Sequence, residues 1–513
     1  MSDPEEVGTC CIVLHSHLPW LAHHGSWPVG EEWLYQAWAA SYLPVLAMLE
    51  RLAATGNRDL VTLGVTPVLA AQLDDPYCLR QFHTWLGFWQ ARAESLAGSA
   101  DRSLRELGSR EFRASQAAAA TFEQTWRHGV SPVLRRLVDS GAVEILGGPA
   151  THPFLPLLDD RLASFSLQAG IDDAQLRLGR RPSGIWAPEC GYRPGLEQMY
   201  ARNGIDRFVV DGPTLLGAGA STGSAWTVAG TDVVAFGRDL DVTYRVWSPR
   251  RGYPGGPWYR DFHTFHHDSG LRPARVTSAR TAPHEKAPYD PGRAAAAVRA
   301  DADDFVATVR ARLVTLAEQQ GGRPALVTVA YDTELFGHWW HEGPAFLEAV
   351  LRRLPGAGVQ VRTLRGAVEA GHVAGSVDLG PGSWGSGKDW HVWDGQQVAD
   401  LVETSAHVTK RLLDLVDAQI GPRPHSGRRP DLDQLARDGL LTVSSDWAFM
   451  VSKDSAAAYA RDRAIGHSSD FTALAHAIDS GRGQPLADAQ RAVDGPFAHL
   501  DARRLARGGG RHR

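Results

Sequence analysis

Carboxylates and imidazoles recur in this chain at places where apolar runs stop. Glu189 lies in GIWAPECGY (184–192) just after Trp186 and Pro188, Asp332 and Glu334 follow ALVTVAY, His15 and His17 sit in HSHLPW, and His152 follows GGPAT. An ion at the end of a buried run must face a cavity or a partner, because burying an unpaired carboxylate is very costly. One strand-end Asp alone reads most simply as a helix N-cap or half of a salt bridge. Several such ends together point to a single cleft. An Asp and a Glu on different strands, aimed into a cleft also lined by His and Trp, are what retaining glycoside cleavage needs. One carboxylate attacks the anomeric carbon and a protonated one delivers a proton to the leaving oxygen, with the carboxyls about 5 to 5.5 Å apart.

The imidazoles leave more than one reading open. His15 and His17 have period-2 spacing, so both rings can point to one side of a strand and bind a metal together with a carboxylate. They can equally donate hydrogen bonds to sugar hydroxyls and to Glu189, or simply pack. Two other stretches imitate known motifs. GSWGSGKD (382–389) nearly spells a phosphate-binding loop, but Asp389 replaces the hydroxyl that would hold Mg²⁺ and would repel phosphate. HWWHE (338–342) spells neither zinc-protease motif and reads as an aromatic, polar loop after Asp332.

These residues need a scaffold that brings strand ends together. The first 80 residues read strand, helix, strand: an apolar run at 9–14, the helical pattern EEWLYQAWAASYLPVLAMLERLAA, and DLVTLGVTPVLA. Residues 79–140 show 3.6-period apolar spacing with no strand-like run and read as a helical insertion. Strand-like runs return at 143–146, 184–187, 207–211, 233–236, 274–278 (ARVTS), 325–332 and 359–363. Most are apolar on both faces and separated by helical patterns, which predicts a parallel sheet covered by helices, most simply a barrel of seven or eight strands. In such a barrel the reacting groups sit at the C-terminal ends of the strands. The catalytic barrel is expected over 1–78 and 141–378, and a C-terminal helical domain over 379–505. The tail 506–513 is expected to be disordered.

Composition narrows the partners. With 53 basic and 58 acidic residues the formal charge is −5 and no interior basic stripe appears, so neither nucleic acid nor an anionic membrane is indicated. The start MSDPEEVGTC lacks the features of a signal peptide, and nowhere do about 18 apolar residues run together, so a soluble cytoplasmic protein is expected. Cys10, Cys11, Cys78 and Cys190 form no CxxC pair and read as reduced, packed thiols. The 17 Trp outnumber the 16 Phe and the 11 Tyr, and several stand beside Gly, His or Asp, which suits a groove with flat aromatic faces. No feature of the sequence sets an oligomeric state.

In order along the chain, HSHLPW, EILGGPATHPFLPLL, GIWAPECGY, VAYDTELFGHWWHEG and SWGSGKDWHVWD resemble the five sequence regions of glycoside hydrolase family 57, most closely its 1,4-α-glucan branching enzymes. The resemblance runs from about residue 9 to about residue 460. It implies an incomplete (β/α)7 barrel with a helical insertion and a C-terminal helical domain, no cofactor and no metal. The implied partner is an α-1,4-glucan, whether amylose, glycogen or a modified glucan. By resemblance Glu189 is the nucleophile and Asp332 the general acid and base. His15, His17 and His152 hold the donor sugar, with Trp186 in its wall. Arg238, Gly255, Trp384, Trp393, Asp446 and Ser455 stand at positions of the family's glucan-binding elements, although Ser455 replaces an expected Gln. The family's branching enzymes carry a long loop with a Tyr at its tip. The corresponding stretch here, GPTLLGAGASTGSAWTVAG (212–230), is short and has no Tyr.

Overall fold

The computed structural model describes residues 6–27, 29–248, 252–421 and 427–507. Ten strands form one sheet: β1 (Gly8–Ser16), β2 (Val61–Val65), β3 (Val143–Gly147), β4 (Gly184–Ile185), β5 (Arg207–Asp211), β6 (Ala225–Val228), β7 (Val234–Arg238), β8 (Ala325–Asp332), β9 (Val359–Val361) and β10 (Val373–Val377). Seven of these run parallel in the order β7-β5-β4-β3-β2-β1-β8 and close on themselves where β8 meets β7. The closure is thin. It consists of the pair Arg238–Thr328 and a 2.7 Å hydrogen bond from the Asp239 amide to the Thr328 carbonyl. Helices fill the connections, giving the seven-stranded barrel that continuous apolar runs demand.

Side-chain alternation explains which residues reach the mouth. On β1, Cys11 and Val13 join Leu146, Val209, Phe236, Leu326 and Ala330 in an inner cluster, while Cys10, Ile12 and Leu14 pack outward on the helices. Because strand side chains alternate with period 2, His15 continues the inward series at the C-terminal end. Arg238 continues Val234 and Phe236 in the same way, and Asp332 continues Leu326 and Ala330. The register pairs His15 with Asp332 directly.

Two details differ from the sequence reading. ARVTS (274–278) joins no ladder and makes only isolated bridges, Arg260–Arg275 and Ala274–Pro288. Of its residues only Ala274 is buried, and Thr277 turns at φ 64°, so the run lacks a second buried position to hold it in a sheet. Conversely β6 (AWTV) and β10 (VAGSV) extend the sheet beyond β7, from short segments without a long apolar run. Within 212–230 the chain forms a helical turn (Gly212–Gly217) and then β6, with Gly223 held by Gln320 of the helix Pro291–Gln319.

Helices Pro76–Ala97 and Arg102–Thr121, each N-capped by an Asp (Asp75 and Asp101), pack against each other outside the barrel. Helices Ala399–Ile420, Pro430–Thr442, Ser445–Ser452, Ala457–Asp479 and Gly483–Arg491 form a second bundle. Arg507 closes it by pairing with Asp417, so Ala506 and Arg507 of the expected tail are placed, and 508–513 lie outside the described residues.

The loop carrying His152 is fixed by helix Asp160–Leu178, where Ser166 exchanges two hydrogen bonds with Ala150. That contact is so close that a Cβ on Gly170 would lie 1.8 Å from the Gly148 carbonyl oxygen. Gly170→Ala is therefore expected to destabilise the fold by about 2–3 kcal/mol, the cost of overpacking against backbone that cannot yield, read as a lowered midpoint in urea denaturation.

Candidate active site

β4 ends after two residues because Pro188 has no N–H for a ladder. The chain then makes a tight turn in which Glu189 (φ 63°) and Cys190 (φ 51°) both adopt left-handed backbone, a conformation that costs non-glycine residues about 1 kcal/mol or more each. Opposite β4, Thr151 and His152 are left-handed as well, at φ 67° and 59°. Glu189 is buried, and its two oxygens are held separately. Ser445 Oγ donates to Oε1 at 2.9 Å, and Trp384 Nε1 donates to Oε2 at 2.8 Å. Burial nonetheless lifts its carboxyl to about 7, against the opposing pull of those two donors.

Three imidazoles stand beside it. The ring of His15 stacks on Trp186 with centroids 4.4 Å apart, and His17 stacks on His152 at 3.8 Å. His17 is fully engaged: Nδ1 meets Thr66 Oγ1 at 2.9 Å, Nε2 meets both oxygens of Asp446 at 3.0 Å, and its amide donates to Glu334 Oε1 at 3.0 Å. Burial pushes His17 down, but Asp446, Glu189 and Glu334 outweigh it and hold the imidazole above its usual value. His15 and His152 are pushed well below theirs, by burial and then by the His17 charge. His15 Nδ1 and His152 Nε2 are buried without a protein partner.

Asp332 completes the cluster across the mouth. Burial raises it to about 6, while Arg238 and His17 pull the other way. Among the described residues no donor holds its carboxylate. Two residues on, Glu334 is raised to about 8 by burial and by Asp332, and accepts from Tyr42 OH at 2.5 Å. Arg238 pairs with Asp211 at 2.8 Å and lies over the Trp384 ring at 5.3 Å. Lys388 of GSWGSGKD pairs with the other oxygen of Asp211 at 2.7 Å, so that lysine is already neutralised. Glu189 and Asp332 thus share His17, and they are linked through Trp384 and Arg238.

The remaining sequence-derived residues lie outward. Trp393 is buried, stacked on Phe154 at 4.5 Å, and borders a cavity of about 520 Å³ together with Ser445, Leu401, Thr409 and Trp447. Asp446 spends its oxygens on His17 and Ser444, and the Trp384 indole N–H is spent on Glu189. Gly255 is exposed in the turn Tyr253–Gly255, with open space where a Cβ would be, and Ser455 is exposed with its amide bonded to Met450. Sequence reasoning did not single out Ser445, Thr66, Tyr42 or Asp211, which are common residue types without a pattern. It also passed over Trp247, half exposed and stacked on Trp339 at 6.0 Å, whose amide bonds to the Glu334 carbonyl. A half-exposed Trp stacked on a second Trp that is bonded to the Glu334 backbone is a ready sugar platform.

His17, His152 and Asp446 place one potential ligand atom each within 4.8 Å of one another, a set that can hold a cation. Occupying it would require His17 to give up a bond to Thr66 or Asp446.

Residues 11–375 match glycosyl hydrolase family 57, and residues 405–504 match the C-terminal region of 1,4-alpha-glucan branching enzymes. The chain belongs to glycosyl hydrolase family 57. A probable 1,4-alpha-glucan branching enzyme of Mycobacterium tuberculosis is 54% identical, with 97% of this chain and 98% of that protein covered. The crystal structure of a family 57 branching enzyme from Thermococcus kodakaraensis superposes with a TM-score of 0.91 at 29% identity, covering 98% and 97% of the two chains. A Thermotoga maritima α-amylase superposes at 0.86 with 24% identity, covering 98% and 99%, so the family 57 fold by itself does not choose the acceptor.

The His17–Asp446 pair makes one prediction. A His held above its unfolded value adds stability that is complete below about pH 6.5 and is lost as pH rises through the folded value. Asp446→Asn should therefore lower stability by about 1–3 kcal/mol in acid and by less at about pH 8.5. Urea denaturation at the two pH values measures the gap, and NMR of the imidazole should show His17 titrating lower in the variant.

Proposed function

We propose that this protein is a retaining 1,4-α-glucan branching enzyme, which cleaves an α-1,4 bond and rejoins the released chain to a 6-hydroxyl. The observation that carries the reading is the Glu189 carboxylate, buried at a strand end and held by two donors that leave it facing a cluster shared with Asp332. In this reading Glu189 attacks the anomeric carbon. Asp332 gives its proton to the departing 4-oxygen and then takes one from the 6-hydroxyl of the acceptor, regenerating the acid. His15 and His152 line the place of the donor sugar, with His15 stacked on the Trp186 wall. Trp247 with Trp339, and Trp393 beyond Phe154, offer aromatic faces along the chain. The names of the relatives from M. tuberculosis and T. kodakaraensis support the same activity.

The reaction needs no metal in this scheme. Its natural setting is glycogen or related α-glucan synthesis in the cytoplasm, a placement supported by four buried free thiols. No helix among the described residues is long and apolar enough to cross a membrane.

A second reading, transfer to water, is favoured by one observation. The stretch 212–230 is committed to a helical turn and to β6, paired between β10 and β7, and has no Tyr, whereas excluding water is how transferases bias the acceptor. Incubation with amylose separates the two: α-1,6 branch points should accumulate well ahead of new reducing ends, and reducing ends without branches would make the protein a hydrolase. Glu189→Gln and Asp332→Asn should each lower kcat about a thousandfold with glucan binding largely kept. Full activity should survive chelator, and loss of activity together with stoichiometric zinc would overturn the metal-free mechanism.

A further inference from the structure

The cavity of about 520 Å³ bordered by Trp393 has no part in the proposed chemistry. It lies between the loop after β3 and the C-terminal bundle. Phe154, Leu157 and Leu158 line it from the loop, and Leu401, Val402 and Leu413 from helix Ala399–Ile420. It opens to solvent, since Leu157 is 42% exposed and Ala406 is exposed too. It also shares a wall with the catalytic mouth. Ser444 and Ser445 line the cavity, but their hydroxyls are given to Asp446 and Glu189, and the Pro153–Ser444 bridge ties that wall to the barrel.

Three polar groups on this lining are unspent. Trp393 Nε1 is buried and has no partner. The hydroxyls of Ser405 and Thr409, one turn apart on the helix, make no hydrogen bond among the described residues, and Thr409 is buried as well. Charge at the rim, by contrast, is fully paired. Arg161 and Arg507 both meet Asp417, at 2.8 and 3.1 Å, Lys410 meets Asp414 at 2.6 Å, and Asp159 accepts the Arg161 amide at 2.9 Å as a helix cap. An ion therefore finds no counter-charge here, and an alkyl chain would leave a buried indole donor unsatisfied. What the lining matches is a neutral ligand with apolar faces and hydroxyl edges. The rings of an α-glucan have that character, with C–H faces for Trp and Leu and hydroxyls for the unspent groups.

We infer that this cavity is a second glucan-binding site, which holds a few glucose units of the polymer without cleaving them. The inference rests on the α-glucan reading of the mouth. The volume lies within the range of roughly 300–1,000 Å³ usual for small-molecule sites. A polymer gripped at a second point stays near the mouth at raised effective concentration, an advantage that long chains have and short ones lack.

Calorimetric titration of maltoheptaose into the full chain carrying Glu189→Gln, which should bind glucan without turning it over, tests this. About two equivalents per chain are expected, falling to about one when Val402→Glu or Ala406→Glu is added, because either puts a charge into the neutral lining. Ala406 is exposed on its helix, so its variant keeps the test valid if Val402→Glu fails to fold, as circular dichroism would show. In the active chain both substitutions should raise KM for amylose about threefold or more with kcat kept. A single equivalent that both variants leave intact overturns the inference and leaves the proposed activity standing, whereas no binding at all overturns both. A dimer split by these substitutions, or a fatty acid bound in place of maltoheptaose and lost in both variants, gives the cavity to another occupant and overturns the inference as well.

Discussion

The need to satisfy one buried carboxylate shapes this molecule. Glu189 sits where β4 ends, and the barrel strands provide no donor for it, since each strand spends its N–H groups on its neighbours. Both donors come from later in the chain, Trp384 from the segment after β10 and Ser445 from the first turn of a C-terminal helix. The helical bundle must therefore dock on the barrel mouth before the site exists. Its docking surface consists of site residues and their neighbours: the Ser445 amide on the His152 carbonyl, Thr151 on the Leu440 carbonyl, the Pro153–Ser444 bridge and Asp446 on His17. A further pair, His24 with Asp494 at 2.7 Å, ties the loop after β1 to the far side of the bundle.

Much of this architecture was legible because burial writes itself into a sequence as continuous apolar runs. The strands carrying His15, Glu189, Arg238 and Asp332 are such runs, and period-2 alternation carries each side chain on to the mouth. Where burial is partial the signal fades. ARVTS has the residue types of a strand but one buried position, while β6 is only four residues long with two of them buried and β10 carries Gly and Ser with one buried, so neither announces itself. The second layer of the site was invisible for another reason. Ser445, Thr66 and Asp211 act through where the fold places them, and one Ser, Thr or Asp carries no spacing that distinguishes it from a cap or a surface residue. Lys388 shows the converse: its Gly-rich setting imitates a phosphate loop, while in the fold it neutralises Asp211 beneath Arg238.

The imidazole stack is an economy of charge. Rings 3.8 and 5.1 Å apart are unfavourable when all protonated, and His17, hydrogen-bonded to Asp446, is the one whose value is raised. His15 and His152 are neutral beside it, which leaves each a ring nitrogen free to accept or donate. When protonated, His17 lowers both Glu189 and Asp332, and Arg238 lowers Asp332 further. An imidazole fixed by Asp446 and Thr66 thus touches the electrostatics of both carboxylates, with Arg238 acting on Asp332 as well.

That field does not by itself decide which carboxyl keeps a proton. Burial lifts Glu189 to about 7 and Asp332 to about 6, an order that would leave the proton on Glu189 in an empty mouth. The hydrogen bonds run the other way and are the firmer guide, because a donor held at hydrogen-bond distance favours the charged form of the carboxyl it meets. An indole N–H can only donate, so Glu189 Oε2 must present a lone pair to Trp384. If His152 Nδ1 donates to Ser445 Oγ, the serine proton is turned onto Oε1. Both Glu189 oxygens are then acceptors, the state of an ion, and His152 Nε2 is left as the acceptor that a sugar hydroxyl requires. Among the described residues no hydrogen-bond donor holds Asp332, whose charge is favoured only at a distance by Arg238 and His17, and a bound sugar would cover the little solvent it sees. Donor asymmetry of this kind makes Glu189 the resident anion and Asp332 the resident acid once the mouth is filled, the division of labour that a retaining mechanism needs.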